Sequence, residues 1–388
     1  MKLTSTRLAI AWHLLKPTFY AISPNLSRLL DLSSFFIFLS ASDKVSRKAH
    51  PVLLCLLLYF FVQLLSILRM ALNDIAIVAD IIPLFYPLFA ASALLCGLQF
   101  GRENNSINFL KALLFVGVAL AIIMKHAPFG DMLSAVFNTP ALTVVERYGG
   151  FSYTHTEHAA FCVLFIAMMF DDSNKAGDRD YNLIKWLLVL SAMYSLLIPL
   201  SKAGLILLAF PFMKDFWKFL IFIIPGSYFV LDNYSHIIQE QLPYIYYGFI
   251  AATEANISDG SIGPRYFDWL TAFDSLRSGT MNLLIGNGPL RYYDESYIEV
   301  TAANILYRFG FLGFVFHYAP IIFAAYIQHR LGRLAISFTL LGIIIVDGLA
   351  NFSESIKLFP FIYFLLGISL TELYILNRSS QSSKILTG

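Results

Sequence analysis

Apolar segments long enough to cross a bilayer recur along this chain and constrain its fold more than any other feature. A spanning helix needs about 20 mostly apolar residues. The clearest segments of this kind are 51–69, 75–98, 108–124, 183–200, 303–327, 334–350 and 357–375. Shorter candidates are 157–170, 203–213 and 218–232, and a weaker N-terminal pair is 8–23 and 29–42. Because backbone polar groups must be satisfied within lipid, such segments cross as helices. The sequence predicts an all-α polytopic membrane protein of about 12 transmembrane helices, with residues 1–388 as one domain.

Composition and charge agree with this class. The chain is 58% hydrophobic and 13% charged, and its net charge of +2 gives no reason to expect a nucleic-acid partner. Lys16, Arg28 and Asp31 interrupt the N-terminal pair, so an interfacial helix is an alternative for 8–23. No cleavable signal peptide is expected.

Basic residues orient the predicted spans. If the spans alternate, five basic clusters fall on one side, and the positive-inside bias makes that side the cytoplasm. The clusters are Lys44 with Arg47 and Lys48, Lys175 with Arg179 and Lys185, Lys214 with Lys218, Arg330 with Arg333, and Arg378 with Lys384. Both termini are then expected inside.

One long polar segment, 233–301, separates the apolar ones. It contains no Lys, three Arg and, with Asp232 at its edge, nine Asp and Glu residues. A segment of this charge is expected outside. A large exterior loop on a helical membrane protein suggests that the protein binds or modifies a substrate at the outer face.

Charged groups gather at the same face in this topology. They are Asp80, Arg147, Lys202, Arg265, Arg308, Asp347 and Glu354. Recessed cations of this kind suit an anionic ligand such as a lipid-linked phosphate or diphosphate. The alternative is that the spans simply end in polar residues there. Trp269 and the many tyrosines of the loop could stack on sugar rings or serve as an interfacial belt and packing.

Metal binding is not predicted. His155 and His158 lie one helical turn apart, but a metal site needs three or four ligands and no third His is near in sequence. GNGP at 286–289 has glycines without a following helix start, so we interpret it as a turn. No cofactor is expected.

Four segments in order resemble the O-antigen polymerase and O-antigen ligase superfamily of bacterial polysaccharide assembly. They are ERYGGFSYTHTEHAA (146–160), PLSKAG (199–204), GPRYFDWLTAF (263–273) with LIGNGP (284–289), and YDESYIEVTAANILYRFGFLG (293–313). The motifs cover roughly residues 140–320, and the layout of spans is similar over the whole chain.

The resemblance implies a GT-C-like, inverting, metal-independent glycosyltransferase of the bacterial inner membrane, with 233–301 as a large periplasmic loop. Its donor and acceptor would be undecaprenyl-diphosphate-linked oligosaccharides, joined into a polymer, and a chain-length regulator protein would be a partner. Arg147, Lys202 and Arg265 match the basic positions that would hold the diphosphate. Asp294 or Glu295 would be the base. Substrate contacts are expected from Trp269, Tyr297 and Arg308.

Two rival functions remain. The ligase branch transfers the finished glycan to lipid A-core, but it typically has a His in the large loop where this chain has Asp294-Glu295-Ser296-Tyr297. A transporter of lipid-linked oligosaccharide would show inverted repeats and broken helices at the midplane, which the sequence does not indicate.

One position departs from the family pattern. Lys202 stands where the family has Arg, so the positive charge is kept but the bidentate fork of the guanidinium group is lost.

Overall fold

A computed structural model describes most of the chain. The described residues are 4–19, 23–42, 49–71, 84–138, 148–171, 179–199, 201–213, 263–288, 292–293, 296–351, 353, 355 and 357–386.

The described residues form fourteen α-helices, one 3-10 turn and one pair of two-residue strands. The helices before the long polar segment are α1 Ser5–Leu15, α2 Pro24–Ser40, α3 His50–Ala71, α4 Phe85–Phe100, α5 Ser106–His126, α6 Gly130–Phe137, α7 His155–Phe170, α8 Arg179–Leu197 and α9 Lys202–Leu208, with the 3-10 turn Phe210–Phe212. The elements from there on are α10 Gly263–Arg277, α11 Thr280–Ile285, β1 Tyr292–Tyr293, β2 Ser296–Tyr297, α12 Thr301–Arg330, α13 Leu334–Asp347 and α14 Leu358–Leu386. β1 and β2 pair antiparallel.

The helices confirm a helical membrane protein. Within the described residues, four helices are long and apolar enough to cross a membrane, and these are His50–Arg69, Ser106–His126, Thr301–Arg330 and Leu358–Ser379. Shorter apolar helices cover Phe85–Phe100, His155–Phe170, Asn182–Leu197, Lys202–Phe212 and Leu334–Asp347. The predicted span 218–232 lies outside the described residues.

The N-terminal segment departs from its predicted span. Helix α1 has only 11 residues and ends at Leu15, not at residue 23. At 1.5 Å per residue it is about 16 Å long, well short of a bilayer's hydrocarbon thickness. The cause is local: Pro17 pushes Lys16 into an extended conformation (ψ 136°), which ends the helix. After this break, the N–H of Thr18 donates to the carbonyl of Val136 at 2.9 Å.

Helices α4 and α14 form the closest pair in the core. A methyl group on Gly97 would overlap the carbonyl of Phe364, and one on Gly367 would lie 2.7 Å from the amide nitrogen of Leu98. Small residues let helix backbones approach in this way, and van der Waals packing then stabilises the pair in lipid.

Contacts at one end of the bundle join segments that the charge pattern predicts to be cytoplasmic. Nε of Arg7 lies 3.0 Å from the carboxylate of Glu103, and Nη1 of Arg333 lies 2.6 Å from that of Glu372. The carboxylate of Asp171 accepts two N–H groups from the first turn of α13. We call this the inner end. The outer end is the opposite one, where α12 begins and α13 finishes.

Candidate functional site

The described residues between α13 and α14, which are 348–351, 353, 355 and 357, connect three parts of the outer end, and we call them the turn at 348–357. The carbonyl of Gly348 accepts the indole N–H of Trp269 from α10 at 3.0 Å. The hydroxyl of Thr301, the first residue of α12, donates to Asn351 at 3.1 Å. The N–H of Lys357 donates to the carboxylate of Glu157 on α7 at 3.1 Å. The start of α7, helix α10 and the start of α12 therefore meet around one turn.

Glu157 is the buried carboxylate of this junction. Thr154 caps α7 by accepting the N–H of Glu157 at 3.2 Å, and the Glu157 side chain reaches back to the N–H of Tyr153 at 2.6 Å. This exchange is a variant of the capping box, in which a Thr and a Glu three residues later bond each other's backbone region. The same carboxylate accepts the hydroxyl of Ser355 and the N–H of Lys357. Glu157 thus fixes the turn to the start of α7.

Lys357 holds the end of α1 against that turn. Its side chain is fully buried, and Nζ donates to the carbonyls of Leu14 at 3.0 Å, Lys16 at 3.2 Å and Phe151. Leu14 and Lys16 belong to the place where α1 stops, so their carbonyls have no next helical turn to bond. An ammonium group with three donors satisfies these carbonyls at once.

A buried ion pair lies beside Lys357. Nζ of Lys16 is 2.6 Å from Oδ1 of Asp31 on α2 and 3.0 Å from the hydroxyl oxygen of Ser34. The Tyr153 hydroxyl donates to Asp31 at 2.9 Å and lies 2.7 Å from the hydroxyl oxygen of Ser27. Lys16, Asp31, Glu157 and Lys357 carry two charges of each sign, so the cluster is neutral in sum. Buried charges near membrane depth are tolerated when paired in this way.

A cavity adjoins this charged cluster. It has a volume of about 200 Å³ and lies between α2 and the start of α4. Its lining residues are Arg28, Asp31, Leu32, Phe35, Phe85, Tyr86 and Phe89. A space lined almost wholly by apolar and aromatic side chains suits hydrocarbon rather than a charged group.

Helix α12 is broken near its outer end. Gly310 has φ 64° and ψ −165°, which is not a helical conformation. The carbonyls of Tyr307 and Arg308 that the break releases accept the N–H groups of Asn287 and Gly288, at 2.9 and 3.0 Å. Within a membrane protein, a broken helix is tolerated where neighbouring groups satisfy its backbone. The N–H groups of Asn287 and Gly288 therefore cap the break, and we call residues 286–288, which bend at Asn287, the glycine turn.

The break also places Arg308. The side chain is 1% exposed, and its guanidinium carbon lies 4.7 Å from the ring centroid of Phe309. The Arg308 carbonyl accepts the Ser66 hydroxyl at 2.8 Å, and Nη1 of Arg69 donates to the Gly286 carbonyl at 2.8 Å. Contacts from α3 and the glycine turn thus hold Arg308 from both sides.

Arg265 and Trp269 lie on α10, which packs on the outer part of α12. Arg265 is half-buried. Trp269 stacks on Phe273 with ring centroids 5.5 Å apart. With its indole N–H bonded to Gly348, Trp269 fixes α10 to α13.

Asp268 joins α10 to the start of α12. Its carboxylate accepts the N–H groups of Glu299 and Val300, at 2.9 and 3.0 Å. Partial burial raises the pKa of the Asp268 carboxyl, while these two hydrogen bonds and the charge of Arg265 oppose that rise.

Lys202 is the first residue of α9 and is partly exposed. Ser201 caps this helix by accepting the N–H of Gly204 at 3.1 Å. Gly204 lies against α7 so closely that a methyl group on it would overlap the side chain of Ala159. The SKAG segment therefore sits directly beside the YTHTEH segment.

The structure thus describes four of the predicted site residues with their side chains: Lys202, Arg265, Trp269 and Arg308. For Tyr297 it describes the backbone, which pairs with Tyr292. Arg147, Asp294 and Glu295 lie outside the described residues. So do Asp80 and Glu354, whereas Asp347 accepts the N–H of Ser353 at 2.9 Å.

The contacts of His158, the second histidine of YTHTEH, are internal to the bundle. Nε2 of His158 is buried, 2.9 Å from the hydroxyl oxygen of Ser195 and 3.3 Å from the sulfur of Cys162. Among the described residues, no group of three or more His, Cys, Asp or Glu side chains could hold a metal ion.

Sequence reasoning missed the buried cluster of Lys16, Asp31, Glu157 and Lys357. The available signal was their position, since each lies inside or at the edge of a predicted span, where a charge is costly. Lys16 and Asp31 interrupt weakly apolar N-terminal segments, and Glu157 and Lys357 lie at the first positions of apolar segments, so none of the four stands out in the sequence as a site residue.

No protein-family model matches this chain, and no curated protein matches it either.

Proposed function

We propose that this chain is a glycosyltransferase that polymerises lipid-linked oligosaccharide repeat units at the outer face of a bacterial inner membrane. The observation that supports it is the meeting of the motif segments at the outer end. Tyr153 and Glu157 of the first segment, Trp269 of the third and Thr301 of the fourth all contact the turn at 348–357 or its Lys357. The second segment packs on the first through Gly204 and Ala159.

The partly exposed cations are the better candidates for the diphosphate. Lys16 and Lys357 are buried and hydrogen-bonded to groups of the protein itself, so they build the scaffold. Arg265 and Lys202 are half-buried, on helices that begin at the outer end. In the proposed site these two and Arg147 hold the diphosphate. Arg308, fixed at the helix break, adds positive charge behind it.

In the proposed reaction, an acceptor hydroxyl on one lipid-linked repeat unit attacks the anomeric carbon of the donor chain. The bond from that carbon to the diphosphate oxygen breaks, and undecaprenyl diphosphate leaves with the electron pair. Asp294 or Glu295 takes the hydroxyl proton. The cations stabilise the charge that develops on the leaving group, which is the electrostatic form of catalysis. No metal takes part, and inversion at the anomeric carbon follows from a single displacement.

The remaining features of this proposal are a GT-C-like arrangement of about 12 spans and an active site facing the periplasm. Trp269 and Tyr297 would contact sugar, and a chain-length regulator would be a partner. The cavity beside Asp31 could receive part of a lipid chain.

A matched pair of variants on one helix tests the site. Arg265→Ala should abolish long-chain polysaccharide, because it removes a proposed diphosphate contact. Arg277→Ala, on the last turn of the same helix and highly exposed, should leave the chain-length distribution unchanged. The measurement is a gel of surface polysaccharide from a host that carries only the variant, with membrane level checked by immunoblot. Normal chain lengths with Arg265→Ala at normal level would remove Arg265 from the mechanism.

Lys202 offers its own control. The Lys202→Arg variant should stay active and the Lys202→Ala variant should not. The proposed contact with the diphosphate needs a positive charge but not the particular shape of the lysine side chain. An active alanine variant would rule out the contact. Polymerisation should also continue in a chelator. Strong inhibition that a single added metal reverses would overturn the metal-independent reaction.

A further inference from the structure

Helix α10 exposes a stripe of large apolar side chains. Tyr266, Phe267, Leu270 and Phe273 are all exposed, with Phe267 at 61%. At 100° per residue, their spacing puts them on one face of the helix within about two turns. The same spacing places the exposed Asp274 and Arg277 on this face in the last turn, so the apolar stripe ends at Phe273. The opposite face carries Asp268, Ala272 and Ser275, which are buried against the protein. The neighbouring α11 exposes Met281, Leu283 and Leu284 in the same way.

An apolar surface of this extent marks an interaction site rather than ordinary surface. Its composition is specific too, because aromatic side chains concentrate where a membrane protein meets the headgroup layer. A helix with an aromatic and aliphatic face and a polar opposite face lies in the membrane interface, with its apolar face between the headgroups and the acyl chains.

The stripe adjoins exposed apolar side chains of neighbouring helices, which face lipid in a membrane protein. The bond from Trp269 to Gly348 places α10 beside the outer end of α13, where Ile345 and Leu349 are exposed. These two residues flank Gly348, so the stripe and the exposed face of a spanning-type helix adjoin.

Helix α11 likewise adjoins exposed apolar side chains of its neighbours α12 and α3. The carbonyl carbon of Leu284 would lie 2.6 Å from a methyl group on Gly310, which puts α11 against α12 just before the exposed Phe311. Helix α11 also contacts α3, whose outer turns expose Leu65 and Leu68. The apolar faces of α10 and α11 thus join two strips of lipid-facing side chains.

We propose that α10 and α11 dock in the membrane leaflet at the outer end, with Tyr266, Phe267, Leu270 and Phe273 inserted among the lipids. The occupant of the apolar surface is the bilayer and not a protein. This goes beyond the proposed function and needs no catalytic activity. It would hold Arg265, on the adjoining face of α10, at the depth of lipid phosphates.

Site-directed spin labelling tests the docking. Phe267→Cys would carry a nitroxide in a Cys55→Ser background, since the other two cysteines are buried. The protein would be reconstituted in phosphatidylethanolamine and phosphatidylglycerol vesicles. Collision with oxygen, which concentrates in hydrocarbon, would be compared with collision with a water-soluble nickel chelate.

Two reference positions calibrate the result. Arg102→Cys labels an exposed position in the turn between α4 and α5, and Ile345→Cys labels the exposed face of α13. The oxygen-to-nickel ratio at Phe267 should be several-fold above that at Arg102 and approach that at Ile345. A ratio equal to that at Arg102 would mean that the stripe faces water. Low collision with both reagents would mean that protein covers it. Either result overturns the proposal.

Leu270→Cys repeats the test with a second side chain of the stripe. It guards against a fault specific to one variant, and agreement between the two sites is part of the expected result. The polysaccharide gel is independent of this measurement. Loss of docking with normal polymer would leave the proposed function standing, and the reverse outcome would leave the docking standing.

Discussion

Gly286→Ala should be among the most destabilising of the glycine-to-alanine changes in this chain. Gly286 has φ 74° and ψ −169°, a region that is essentially restricted to glycine and costs other residues about 1–3 kcal/mol. A methyl group there would also lie 2.5 Å from the amide nitrogen of Phe309 and closer still to the Arg308 carbonyl. Overpacking typically costs about 1–3 kcal/mol more. The expected loss in the free energy of unfolding is therefore about 2–6 kcal/mol.

Two other glycines separate these contributions. Gly332 has φ 76° with no atom near its position for a methyl group, so Gly332→Ala should cost only the left-handed strain of about 1–2 kcal/mol. Gly279 has extended backbone and open space, so Gly279→Ala should be neutral or stabilise by up to about 1 kcal/mol. The assay is titration with sodium dodecyl sulfate in mixed micelles. If Gly286→Ala costs no more than Gly332→Ala, the glycine turn does not pack on the helix break and the reasoning is wrong.

Three further changes probe the outer end. Lys357→Met should cost about 3–5 kcal/mol in the same titration, because it leaves the buried carbonyls of Leu14, Lys16 and Phe151 without their donor, at about 1–3 kcal/mol for each group; a loss below about 1 kcal/mol would contradict this. Trp269→Phe should cost about 1 kcal/mol through the lost bond to Gly348, while polymer length is kept because the phenyl ring still offers a face to the sugar; unchanged stability would contradict the role of this bond. For Asp268→Asn the prediction concerns pH. Burial raises the pKa of this carboxyl, so the folded state holds the proton more tightly, and the stability of the native protein falls as pH rises above about 4. The variant should gain stability relative to it from pH 4 to pH 7, and a constant difference would refute that sign.

The spans were predictable because apolar length is a local property. Helices α3, α5, α12 and α14 lie where apolar runs of sufficient length predict them. The end of α1 also has a local cause, Pro17. A prediction based on the number of apolar residues misses it, because one proline hardly changes that number. The break at Gly310 within the predicted span 303–327 is missed for the same reason. One glycine changes neither the length nor the hydropathy of the span.

The buried cluster could not be predicted from one sequence. Lys357 and Glu157 are separated by 200 residues, and only the packed fold shows that they meet. In the sequence, each appears as a charged residue at the edge of an apolar segment. Charged residues are also common at the ends of ordinary spanning helices, so this position alone does not indicate a buried contact. The glycine turn illustrates the same limit: the glycines of GNGP predict a turn, but nothing in them predicts that it packs on the carbonyls freed at Gly310.

The most direct test of the proposed function is a gel of surface polysaccharide from a host that lacks this chain. Polymerase activity predicts a single repeat unit on the lipid core and no ladder, with the ladder restored by the wild-type chain. Free lipid-linked polymer together with bare core would contradict it and indicate a ligase. Repeat units held on the cytoplasmic leaflet would contradict it as well and indicate a transporter.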